Sequence, residues 1–97
     1  KIDTFVDGAS VKKIGGLPFQ IYKDLISEPI VISNQETIEA TRILNEKYSP
    51  RMVEFAGALS LAGYLKDKNR QEGDTSLCLV TGGNLSVARY RSYTANQ

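Results

Sequence analysis

Ninety-seven residues suffice for one domain with a modest core, and 41% hydrophobic with 24% charged residues is an ordinary globular composition. The net charge of +1 gives no electrostatic case for nucleic acid or an anionic membrane, and no apolar run approaches the ~18 residues of a membrane span. With no histidine and one cysteine, Cys78, an internal disulfide, transition-metal sites and Ser-His or Cys-His catalysis are excluded. Chemistry must come from carboxylates, lysines, hydroxyls, backbone groups or a cofactor. The chain opens on Lys1 and its sole methionine is Met52, so a piece of a longer protein is expected.

Within residues 1–16, Asp7–Gly8 and Gly15–Gly16 read as turns with a loop or short strand between them. Pro18 suits the first turn of a helix. Phe19, Tyr22 and Ile26, with Ile21 and Leu25, recur at three- and four-residue steps and make one apolar face. Pro29 ends that helix at or before Glu28. Ile30, Val31 and Ile32 are all β-branched and predict a short strand. Ser33 and Glu36 have the spacing of a capping box. The next helix should then run over about 35–48, with Ile38, Thr41, Leu44 and Tyr48 along one side and Ser49–Pro50 as its stop. After a brief extended stretch at 51–53, a third helix is expected over 54–66. Its small residues Ala56, Gly57, Ala58, Ala62 and Gly63 weaken helix propensity, each glycine by about 1 kcal/mol relative to alanine. Such residues are accepted where a helix lies close to a neighbour or a ligand.

Residues 66–74 read as a charged surface loop. Then Ser76 to Asn84 spells S-L-C-L-V-T-G-G-N. Four uninterrupted apolar residues between polar ends predict a strand buried on both faces, as in a parallel sheet covered by helices, with Cys78 a small core residue. Gly82 and Gly83 would let the backbone approach a ligand, and open α/β sheets bind ligands at such strand ends. Residues 81–84 are therefore the candidate site, although a plain strand–turn–helix connection has the same signature. A closing helix over 86–93 and a frayed tail over 94–97 complete the pattern. The order helix, strand, helix, helix, strand, helix predicts an α/β fold, a partial parallel sheet flanked by helices. Two strands leave exposed edges, so further sheet is expected from elsewhere.

Three blocks occur in order: F-V-D-G-A-S-V-K-K-I-G from Phe5, V-E-F-A-G-A-L from Val53, and L-V-T-G-G-N from Leu79. Over roughly residues 3–89 they resemble the last part of the catalytic domain of the pyridoxal-phosphate-dependent threonine dehydratases, the family that also holds serine racemase. The resemblance implies the large-domain fold of the fold type II pyridoxal-phosphate enzymes, with residues 1–97 an incomplete carboxyl-terminal portion. It implies cofactor-binding roles for four residues. Gly8 would lie in the D-G turn that passes close to the cofactor, and Glu54 matches the acid of the family's E-P-A-G block near the pyridine ring. Thr81 stands where the family commonly has a serine whose hydroxyl hydrogen-bonds the pyridine nitrogen, and Asn84 closes the same S-G-G-N block. A neutral hydroxyl cannot stabilise a pyridinium as a carboxylate would, so the nitrogen stays largely unprotonated, which suits β-elimination. Phe55 in place of the family's proline and Leu85 in place of a polar residue depart from the pattern.

The family's Schiff-base lysine lies in a serine-x-lysine-x-arginine-glycine block, and its phosphate-gripping loop is rich in glycine. Neither occurs here. By itself the chain is expected to be inactive, without a catalytic residue, and any metal site of the family would lie upstream. The whole enzyme is expected to bind pyridoxal phosphate and eliminate ammonia from threonine or serine to give a 2-oxo acid. The partners implied are the missing remainder of the enzyme, a small amino-acid substrate and further copies in a homo-oligomer, in the cytoplasm. The alternative is a non-enzymatic small α/β interaction module, or a fragment that self-associates through unpaired strands.

Overall fold

A computed structural model describes residues 5–95. The longest helix, α2, spans Asn34–Tyr48, and its start explains its length. Ser33 Oγ accepts the Glu36 N–H at 3.1 Å, and Glu36 Oε2 accepts the Ser33 N–H at 2.7 Å. This is the expected capping box, and it satisfies donors that a helix start otherwise leaves open. Lys66 donates to the same carboxylate at 3.1 Å. The Ser33 backbone, followed by Lys66, holds Glu36 below the ordinary carboxylate range. On the outer face Arg42 links Glu39 and Glu46, one turn to either side.

The inner face of α2 buries Thr37, Ile38, Ala40, Thr41, Leu44 and Asn45. Tyr48, expected on that side, is 53% exposed. Two apolar clusters form against this face. One joins Ala40, Leu44 and Val53 to Ala58 and Ala62. The other joins Ile38, Phe55 and Leu85, with Phe5, Val6, Met52 and Tyr90 around them.

The other helices are short: α1 at Gly16–Tyr22, α3 at Leu59–Lys66 and α4 at Val87–Thr94. Ser86 caps α4 by accepting the Arg89 N–H at 3.1 Å. Helix α1 stops at Tyr22 instead of reaching residue 28. It buries no residue, Leu25 and Ile26 stay exposed beyond it, and a short helix without tertiary packing gains little by growing. Residues 54–66 are not one helix. Ala56–Ala58 forms a tighter 3-10 turn that leads into α3.

No strand forms among the described residues. Among the described residues, 30–32 and 76–80 make no backbone–backbone hydrogen bond, and Leu77 and Leu79 are 92% and 70% exposed. The sheet expected from the sequence is neither formed nor excluded by this helical chain. Residues 78–79 run beside α3 instead, where Ser60 Oγ donates to the Leu79 carbonyl at 2.8 Å. Half-buried Cys78 lies with its Sγ 3.8 Å from the Ser60 carbonyl oxygen. Thr94 closes α4, and the end of the expected frayed tail, like residues 1–4, lies outside the described residues.

Candidate functional site: a carboxylate between glycines

Three stretches far apart in sequence meet at Glu54. Its position is set from behind by α2, where Asn45 Oδ1 accepts the Val53 N–H at 2.6 Å and Asn45 Nδ2 donates to the Val53 carbonyl at 3.2 Å. One buried side chain thus pairs both backbone groups of Val53, as a neighbouring strand would. The Glu54 N–H then points to the Gly82 carbonyl at 3.4 Å, which draws the T-G-G-N turn alongside.

Glycine backbone lies on both flanks of the carboxylate. A Cβ on Gly82 would collide with Glu54 Oε1, and Gly82 has φ +63°, in the left-handed region that glycine adopts without strain. On the other side, a Cβ on Gly8 would stand 3.4 Å from Glu54 Oε2 and 3.0 Å from Ala56 Cβ. Behind this pair, a Cβ on Gly57 would run into the Thr81 carbonyl, and one on Gly83 into the Met52 carbonyl. The small residues after Glu54 therefore have a cause at Gly57, the close passage of the 81–82 backbone. Gly63 meets nothing within 4 Å, so the same cause does not extend to it.

Of the four residues singled out in the sequence, Gly8 and Glu54 come together, with Gly82 completing the group. Thr81 is exposed at its edge, its carbonyl against Gly57. Asn84 is also exposed, within a tight turn closed by the Leu85 N–H and the Gly83 carbonyl at 2.8 Å. Leu85 is buried and anchors that turn in the core. No cluster of ligating side chains that could hold a metal occurs among the described residues, and no described helix is long and apolar enough to cross a membrane.

The chain is similar to L-threonine dehydratase biosynthetic IlvA of Halalkalibacterium halodurans, 37% identical over 90 residues, which cover 92% of this chain and 21% of that protein. The enzyme of the same name from Staphylococcus saprophyticus is 38% identical over 92 residues, 93% of this chain and 21% of its own length. That of Corynebacterium glutamicum is 37% identical over 90 residues, 92% and 20% respectively. The chain thus spans about a fifth of the length of the curated relatives it matches. No family model matches it, and no solved structure does.

Two residues that shape the site escaped the sequence reading. Asn45 had a usable signal, since it follows Thr41 by four and Ile38 by seven and so shares their helix face. Arg89 had none, because its partners lie at the opposite end of the chain.

Proposed function

We propose that this chain is the carboxyl-terminal part of the catalytic domain of a threonine dehydratase. Such an enzyme, of fold type II, uses pyridoxal phosphate to eliminate ammonia from threonine or serine and release a 2-oxo acid. The observation that carries the reading is the meeting of Gly8, Glu54 and Gly82, one from each resembling block, with glycine backbone packed on two sides of the carboxylate. Identity of 37–38% with curated threonine dehydratases over more than nine-tenths of the chain supports it.

Pyridoxal phosphate, when bound, draws electrons from the substrate Cα, so that its proton can leave and the β-hydroxyl can be expelled. The glycine backbone at Gly8 and Gly82 already packs against the Glu54 carboxylate, so the ring end of that cofactor would lie on the open side of this group, beside exposed Thr81 and Asn84. Thr81 would give its hydroxyl to the pyridine nitrogen, keeping that nitrogen largely unprotonated. Gly8 and Glu54 would border the ring, and Asn84 would close the turn. The proton-moving lysine and the phosphate loop would come from the rest of the enzyme. Its sheet would cover residues 30–32 and 76–80 and complete the α/β fold. A small amino-acid substrate, a homo-oligomer and a cytoplasmic setting belong to the same reading.

Incubation of the complete protein with threonine, and separately with serine, tests it by detection of the 2-oxo acid. Product should vanish when the cofactor is stripped and return when pyridoxal phosphate is added. Thr81→Ser should leave turnover near the starting level, and Thr81→Ala should lower it about tenfold, the effect of one lost hydrogen bond to the ring. No oxo acid from any hydroxy amino acid would sink the reading.

A further inference from the structure

Arg89 stands in the first turn of α4, but its guanidinium reaches back to the start of the chain. Nη2 donates to the Phe5 carbonyl at 2.8 Å and Nη1 to Asp7 Oδ2 at 3.3 Å, across 84 and 82 positions of sequence. Its Cζ lies 5.3 Å from the centre of the Phe55 ring, a cation–π distance. Phe55 in turn stacks on Phe5 at 4.6 Å and meets Tyr93 of α4 edge-on at 5.5 Å. One planar fork therefore touches the segment that carries Gly8, the residue after Glu54, and the helix that follows Thr81 and Asn84.

We propose that Arg89 is a positioning residue that sets the gap between the Gly8 turn and Glu54. The proposal rests on the reading of Gly8 and Glu54 as the border of the cofactor ring. The Asp7–Ala9 turn buries none of its residues, so apolar packing of its own does little to hold it. The Asp7 ion pair is largely exposed and contributes little as charge. The part-buried bond to the Phe5 carbonyl, made by a rigid fork that also grips Asp7, fixes where the turn stands. Ala56 Cβ and the Glu54 carboxylate already crowd Gly8, so a small drift of the turn would change how close it stands to Glu54.

Hydrogen exchange in the complete protein, stripped of cofactor, reads the turn directly. Ala9 and Ser10 donate to the Val6 and Asp7 carbonyls at 3.1 and 3.2 Å, and their amides report whether the turn holds. Arg89→Met, which keeps the stem and loses the fork, should speed exchange at 5–10 about tenfold and weaken pyridoxal-phosphate affinity about tenfold. Exchange over 34–48 should not change. Arg89→Lys, which keeps the charge beside Asp7, should recover part of both losses. A wild-type protein with no bound-cofactor absorbance overturns the reading of the site, and the proposal with it. A loaded wild type whose Arg89→Met variant keeps normal exchange at 5–10 and normal affinity overturns the role of Arg89 alone. Equal loosening of 34–48 in both variants makes Arg89 a residue of general stability and also overturns the proposal.

Discussion

Helix α2 and helix α1 both carry an apolar stripe, yet one is the spine of the fold and the other buries nothing. Residue type does not separate them: Ile38 and Leu44 are buried on α2, while Leu17 and Ile21 are exposed on α1. Two differences do. The longer helix has a capping box at its start, whereas Gly15, just before α1, supplies no side-chain cap. More decisively, α2 faces Ala58 and Ala62, whose small side chains let α3 come close, and α1 faces no such neighbour. Apolar character supplies a reason to be buried but not a surface to be buried against. The same division separates Val53 and Phe55 from Leu77 and Leu79. On the proposed reading, the exposed set is the face that the rest of a dehydratase covers.

The largest effect should come from the packed side of this comparison. Phe55 is 1% exposed between Phe5 and Tyr93, so Phe55→Ala should lower unfolding stability by about 3–5 kcal/mol in urea titrations. Leu79→Ala in the 97-residue chain should change it by less than about 0.5 kcal/mol. In a protein as long as the relatives, Leu79→Ala should cost about 2–5 kcal/mol, the value of a buried leucine. If Leu79→Ala is neutral in both, the exposed run is ordinary surface and the contrast between the two regions loses its functional meaning.

A smaller effect sharpens the boundary between the core and the site. Asn45→Ala removes the partners of both the Val53 N–H and the Val53 carbonyl in a buried place. Leaving such groups unpaired should cost about 2–3 kcal/mol and speed exchange of the Val53 amide. Unchanged stability together with unchanged exchange would show that Asn45 does not hold the approach to Glu54.

What the sequence revealed tracks how local each cause is. The α2 start was legible because Ser33 and Glu36 settle it within one turn. The candidate site residues were legible as names, because three blocks resemble a family in order, but the meeting of Gly8 and Gly82 with Glu54 depends on contacts over dozens of residues. Strand pairing is equally non-local. β-branching at 30–32 marks residues that suit a pleated surface, not residues that have one. Asn45 is hard to single out because a polar residue on an apolar face reads as an interruption, and its partner, the Val53 backbone, lies outside the helix. Phe55 and Leu85, two separate departures from the family pattern, lie in one buried cluster with Ile38.

The two glycines after Glu54 give the smallest and most discriminating contrast. In sequence they are alike, each a weak helix former in a run of small residues. In the structure, a Cβ on Gly57 meets the backbone carbonyl of Thr81, which cannot rotate away as a side-chain tip could. Gly57→Ala should therefore destabilise the protein by about 1–3 kcal/mol and displace the 81–82 turn from Glu54. Gly63 sits inside α3 in open space, so Gly63→Ala should stabilise the protein by about 0.5–1 kcal/mol through helix propensity alone. Opposite signs from one substitution at two positions six residues apart would separate close backbone approach from mere tolerance of small residues. Stabilisation at both positions would mean that the 81–82 turn yields to a methyl group, and a turn that yields could not hold a ring against Glu54.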